Sequence, residues 1–247
     1  MKRRREMEKA RTEIRSAIEE LSLMVKLNPA MVKPNDCSVI QDHHDDQQHD
    51  REQHQHHGQS HQAIPTRPFL SFCTLVVQVL DKIGPTMAVL RQDIHQNIQR
   101  LETVFESEPS RYSSIDEILK MEAHEGIARK TTSCSRAFVW LTRSMEFTVA
   151  LLQRLAMDPG LSMEQAVEDA YAVTLKPWHG WISSAAFRVA TKLVPDNKTF
   201  IDLLAAKDQS RESLVEEMQT FISLLAPFLE EIHSALKLYS LERIKST

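Results

Sequence analysis

Glycine is scarce in this chain, five of 247 residues. Dinucleotide and P-loop folds use glycine in tight phosphate-binding turns, and neither G-x-G-x-x-G nor G-x-x-x-x-G-K occurs. Collagen-like and multi-hairpin β chains are disfavoured by the same shortage. Cysteine is equally thin. Cys37, Cys73 and Cys134 lie far apart with no C-x-x-C pair, which argues against a structural zinc site and fits a reducing compartment. A long apolar run is missing too. The stretch from Phe69 to Leu80 contains Ser71, Thr74 and Gln78 and falls well short of the roughly 20 apolar residues of a membrane span. Met1-Lys2-Arg3-Arg4-Arg5 leads into an amphipathic stretch, not the apolar core of a secretory signal. Lys245-Ser246-Thr247 offers no cysteine for prenylation. A net charge of −4 gives no case for a nucleic-acid partner. These absences predict a cytoplasmic protein of the cytosol, free to enter the nucleus.

What is present is ordinary globular material: 42% hydrophobic and 26% charged residues. Three regions differ in composition. Residues 1–27 read as an amphipathic helix with Ile14, Ile18, Leu21 and Val25 on one stripe. Its basic start reads first as a solvated helix end, with a nuclear signal or a membrane-surface patch as alternatives. Residues 28–66 hold a tract of His, Gln, Asp and Glu with seven of the eleven histidines. Such a tract buries too little apolar area to offset its ordering entropy, so a disordered insertion is expected, without a fixed metal geometry. Deleting residues 30–64 should then leave the fold intact. Residues 67–247 form the folded domain. Apolar residues recur there at helical spacing, Ser114 and Ser162 open capping-box patterns, and no segment alternates with period two. The expected class is all-α, with about eight helices in the domain and an extra N-terminal one.

Polar residues on core-forming helices are the informative positions. Asp93, Asn97 and Arg100 share one helix face. They supply a carboxylate, an amide and a guanidinium, a kit suited to hydroxyl groups, and they read equally as a solvated face. Arg136 and Trp140 lie one turn apart; the indole can serve as a platform under a sugar ring or as core packing. His179 stands between Trp178 and Trp181. Asp93 and His179 could make an acid–base pair, but no G-x-S-x-G nucleophile elbow accompanies them. His124-Glu125 lacks the second histidine of H-E-x-x-H. The expectation is a non-enzymatic protein without cofactor or bound metal.

Segments 91–102 (RQDIHQNIQRLE), 132–147 (TSCSRAFVWLTRSMEF) and 175–182 (LKPWHGWI) resemble the glycolipid transfer protein family, closest to its plant members. The shared pattern is D-x-x-x-N-x-x-R/K, then W-L-x-R, then W/Y-H-G-W, over about residues 67–235. The resemblance implies a two-layer helical sandwich that encloses one sphingolipid in an apolar cavity and acts as a monomer in transient contact with membranes. It implies that Asp93 bonds the ceramide amide N–H and a headgroup hydroxyl, that Asn97 and Arg100 bond the sugar, and that Trp140 underlies the first ring. It implies further that His179 donates to the amide carbonyl, that Phe147 and Phe187 line the cavity, and that Trp181 touches the membrane. The phosphate-binding branch of the family carries a cation where Asn97 stands and arginines where Arg136 and Trp140 stand. Arg136 therefore leaves ceramide-1-phosphate open as a ligand. Trp140 tips the expectation toward neutral glycosylceramide, because it removes a cation and supplies a stacking surface. A sphingolipid sensor that does not transfer is the rival function.

Overall fold

The computed structural model describes residues 12–27 and 62–246. The basic start, Cys37, the seven clustered histidines and Thr247 lie outside the described residues. Among those described, nine α-helices, a short 3-10 helix at Pro85–Met87 and one isolated bridge, Pro65 to Ser114, make up the regular structure. They are α1 (Glu13–Leu27), α2 (Thr66–Ile83), α3 (Ala88–Ser107), α4 (Ile115–His124), α5 (Cys134–Met157), α6 (Met163–Val173), α7 (Trp181–Thr191), α8 (Asn197–Leu204) and α9 (Arg211–Leu238). The all-α class read from periodicity is the one observed, with eight helices in the domain and α1 before them.

The cap signals hold in part. Ser114 and Ser162 both open helices, accepting from Asp116 N–H and Gln165 N–H. The reciprocal half of each capping box is not used. Ser114 accepts from Asp116 instead of from the residue three on, and the Gln165 side chain donates to Asp169 at 2.8 Å. The carboxylate of Asp116 also accepts from Ser114 Oγ and from Ile64 N–H.

The helix α1 packs on α2 and α9. Thr12 caps it, accepting from Arg15 N–H. The buried stripe is Ile14, Ala17, Leu21 and Met24, turned from the expected Ile14, Ile18, Leu21 and Val25. Ala17 faces inward because a small side chain lets the two backbones approach, and Ile18 is left half-buried beside it. Arg15 pairs with Glu217 at 2.7 Å, and Lys82 pairs with Glu13, tying α1 to α9 and α2.

Packing contacts are already present at Gln62 and Ile64, ahead of the expected boundary at 67. Ile64 is fully buried. Its carbonyl accepts from Ile115 N–H at 2.9 Å and its N–H donates to Asp116 at 2.8 Å. Gln62 N–H donates to Glu231 at 2.9 Å. Deleting 30–64 would therefore remove a buried isoleucine, which alone costs about 2–5 kcal/mol. The neutral change is narrower. Replacing residues 30–61 by a Gly/Ser repeat of equal length should leave the thermal midpoint within about 2 °C of the parent. A drop of many degrees in thermal denaturation would show that the His-rich tract contributes to packing.

Five helices close into a ring: α1 on α2, α2 on α3, α3 on α5, α5 on α9 and α9 back on α1. Phe69 of α2 meets Phe138 of α5 at 5.0 Å and Phe228 of α9 at 6.5 Å between ring centres. All three rings are buried, and offset aromatic contacts of this kind add to their area burial. The helix α5 is central and also carries α4 and α6 on its flanks. The helix α7 differs from the rest: of its eleven residues only Thr191 is buried.

Candidate functional site

The N-terminus of α5 is fixed before any ligand group is considered. Ser133 caps it, accepting from Arg136 N–H at 3.0 Å. Glu122 of α4 is buried, and its carboxylate accepts from Cys134 N–H at 2.8 Å, Ser135 N–H at 2.7 Å and Ser135 Oγ at 2.6 Å. A carboxylate at a helix N-terminus takes up free N–H groups and meets the positive end of the helix dipole. Cys134 Sγ lies 3.3 Å from the Arg100 carbonyl, which ties α5 to α3. Burial, with Glu122 beside it, raises the Cys134 thiol to about 12, so it stays protonated and serves as this donor. The two helices that carry the polar residues are thus held in register.

On α3, Asp93 remains exposed, although the protein around it removes enough hydration to raise its carboxyl; Arg100 pulls partly the other way. It borders an open hollow of about 420 Å³ with Ala88, Val89, Gln92 and Gln96. Asn97 is buried and has both ends engaged. Its amide N–H donates to the Asp93 carbonyl at 3.0 Å, and its oxygen accepts from Arg100 Nη1 at 3.2 Å. Asn97 therefore orients Arg100.

Facing them on α5 are Arg136 and Trp140, both half-buried. Partial burial and then the nearby Arg100 lower the Arg136 guanidinium. Trp140 lies 5.5 Å from His179, centre to centre. His179 is half-buried, and burial first, then Arg143, lower its pKa below the usual histidine value, so the imidazole is neutral near pH 7. Asp93 and Arg100 of α3 thus neighbour Arg136 of α5, and Trp140 of α5 neighbours His179 in the turn before α7. Phe147 and Phe187 meet edge to face at 6.4 Å, and Phe187 also stacks on Tyr171 at 3.5 Å and 9°. Trp181 is 81% exposed, which disposes of its reading as a core residue.

Among the described residues no three His, Cys, Asp or Glu side chains gather as metal ligands would, and no described helix is long and apolar enough to cross a membrane.

The family model described as glycolipid transfer protein matches residues 64–206. Glycolipid transfer protein 3 of Arabidopsis thaliana is 51% identical over the whole of both chains. The chain belongs to the glycolipid transfer protein family. Among solved structures, FAPP2, which selects simple glycosphingolipids using the GLTP-fold, superposes with a TM-score of 0.66 at 27% identity, over 75% of this chain and 90% of its own. A mutant of Arabidopsis accelerated-cell-death 11, complexed with C12 ceramide-1-phosphate, shares the fold: TM-score 0.72, 16% identity, 94% of this chain and 98% of that one.

The glycolipid transfer protein motif W-L-x-R contains a residue whose weight the sequence did not reveal. Arg143 is 4% exposed and lies between two indoles, 4.7 Å from the Trp140 ring centre and 4.4 Å from that of Trp178. Such cation–π contacts gain strength when desolvated. Burial lowers its pKa to about 10, with Glu146 opposing and Arg136 assisting; it remains charged. Its Nη2 donates to the Glu242 carbonyl at 3.1 Å, and its buried Nη1 has no protein acceptor among the described residues. The second feature missed is the tail. Leu241 and Ile244 are buried, and the carbonyls of Ser240 and Lys245 accept from Arg129 and Arg136, each at 2.7 Å. Ser246 N–H donates to the Trp178 carbonyl at 2.9 Å, while its hydroxyl accepts from Gly180 N–H at 2.7 Å. The i, i+3 spacing of Leu241 and Ile244 was the available signal; backbone carbonyls leave none.

Proposed function

We propose that this protein is a non-enzymatic carrier that takes up one sphingolipid and moves it between membranes, with neutral glycosylceramides as its first choice. One observation carries the reading: neighbouring groups run in series from Asp93 and Arg100 through Arg136, Arg143 and Trp140 to His179, beside the aromatic contacts of Phe147, Phe187 and Tyr171. In this reading Asp93 accepts from the ceramide amide N–H and a sugar hydroxyl. His179 donates to the amide carbonyl, Arg100 donates to the sugar while Asn97 steadies it, and Trp140 lies under the ring. The chains enter past Phe147 and Phe187. Burying each methylene is worth about 0.8 kcal/mol, and a bilayer already supplies that, so selectivity must come from the polar cluster. A fluorescent galactosylceramide passed between vesicles tests the proposal; a protein that moves no sphingolipid would overturn it.

A second reading has its own support. Arg100, Arg136 and Arg143 lie close enough for each to lower the next one's pKa, and converging cations suit a phosphate. Equal or faster transfer of ceramide-1-phosphate in the same assay would favour it.

The surface of α7 supports peripheral membrane contact. Trp181, Ile182 and Val189 are 81%, 55% and 64% exposed, on a helix whose last turn adds Arg188. An apolar face this open suits an interface, where an indole sits between headgroups and acyl chains. Trp181→Ala should slow vesicle-to-vesicle transfer about ten-fold, with stability changed by less than about 0.5 kcal/mol. Its affinity for a short-chain, water-soluble glycosylceramide should hold. A large fall in melting temperature, with transfer tracking only the folded fraction, would remove Trp181 as the docking residue.

A further inference from the structure

Tyr171 of α6 occupies a place that no motif marks. It is buried, stacked on Phe187, and its hydroxyl lies 3.3 Å from His179 Nδ1 and 3.2 Å from Ser184 Oγ. Three groups therefore form one line: Ser184 on α7, Tyr171 on α6, and His179 in the turn that leads into α7. A phenol has a single hydrogen, so the line can run in only two ways. If Tyr171 donates to Ser184, it accepts from His179 Nδ1–H and leaves Nε2 as an acceptor. If Ser184 donates to Tyr171, Tyr171 donates to Nδ1 and the proton resides on Nε2. A neutral imidazole offers one donor and one acceptor, and its second nitrogen takes the role that the first leaves over.

We propose that Tyr171 and Ser184 are positioning residues that set the tautomer of His179, and that a ligand carbonyl at Nε2 selects the direction in which Ser184 donates to Tyr171 and Tyr171 donates to Nδ1. The inference rests on the headgroup role of His179 given above. It adds a link between the two halves of the site. The ring of Tyr171 lies against Phe187, which borders the interior, while its hydroxyl holds the polar group that reads the amide. A sphingolipid that moves Phe187 aside must keep or restore the Tyr171 ring position for His179 to donate. A lipid that enters the apolar space without an amide carbonyl has nothing to hold the relay in its donating direction.

The test uses the full chain labelled with ¹⁵N-histidine and loaded with galactosylceramide. Long-range ¹H–¹⁵N spectra should show His179 as the Nε2–H tautomer. Tyr171→Phe keeps the stacked ring and removes only the hydroxyl. It should yield a mixture of tautomers and transfer about five-fold slower, the scale of one hydrogen bond, with no loss of melting temperature beyond about 2 °C. Ser184→Ala removes the acceptor that competes with Nδ1 for the Tyr171 proton, so it should move the balance the other way, keeping the Nε2–H tautomer with or without ligand. A Tyr171→Phe protein with an unchanged Nε2–H tautomer and unchanged transfer would overturn the relay. If His179→Ala is then defective, the headgroup reading survives and the relay alone falls. Unimpaired transfer by His179→Ala would overturn both.

Discussion

Asp93→Val should abolish transfer of ceramide-based lipids, lowering the rate by about 100-fold or more, while helicity and melting temperature stay near those of the parent. The first half follows from chemistry. A carboxylate that accepts two hydrogen bonds from a ligand contributes about 1.5–3 kcal/mol for each, and about 2.8 kcal/mol is a factor of 100. The second half follows from placement. Asp93 is exposed on α3, its carboxylate makes no hydrogen bond among the described residues, and its helix is fixed by Ile94, Ile98 and Leu101 on the neighbouring flank. Valine lowers helix propensity only slightly. Vesicle transfer assays and circular dichroism on the same preparation decide it. Normal transfer by the variant would remove Asp93 from the site. Loss of transfer with loss of helicity would make it a structural residue.

Trp140→Arg should reverse the ligand preference. Wild type is expected to move galactosylceramide faster than ceramide-1-phosphate, and the variant to move ceramide-1-phosphate at least about ten-fold faster than galactosylceramide. Arg143 rests on the Trp140 ring at 4.7 Å. The substitution replaces that cation–π contact with a guanidinium facing a guanidinium, one turn from Arg136. Without ligand the variant should therefore melt several degrees lower, since a lost cation–π contact and a new like-charge contact together cost about 1–3 kcal/mol. Added ceramide-1-phosphate should recover much of that loss, because a phosphate makes charge-assisted bonds to all three cations. Wild type that already prefers ceramide-1-phosphate would show that the arginines outweigh the indole.

The fold was legible in the sequence to the extent that helices announce themselves by spacing and caps. The runs around Phe69, Ile98 and Phe138 each had a buried face, and each became a helix. Boundaries that depend on distant partners were not legible. Ile64 looks like the end of a polar tract until Ile115 and Asp116 are placed beside it. The rotation of α1 was hidden for a related reason: Ala17 and Met24 are weaker apolar signals than Ile18 and Val25, and only the close approach of a neighbouring helix decides which pair faces inward. In the site, residue types at helical spacing brought out Asp93, Arg100, Arg136 and Trp140. Asn97 had the right type, and its spacing did not reveal that it holds Arg100 from within. Arg143 and Tyr171 stayed hidden because what matters about each is what it touches, two indoles in one case and an imidazole with a phenyl ring in the other.

The strap formed by residues 240–246 holds Arg129, Arg136 and Arg143 through main-chain carbonyls. Main-chain oxygens are the same whatever side chain follows them. Selection on this segment therefore falls on its length and on three anchoring side chains, Leu241, Ile244 and Ser246, far more than on its spelling. Related chains could exchange Glu242, Arg243 or Lys245 freely and keep the arginines in place, whereas inserting or removing one residue between the anchors would shift every carbonyl out of step. Such a segment would look unconstrained in a column-by-column comparison and constrained in a count of gaps.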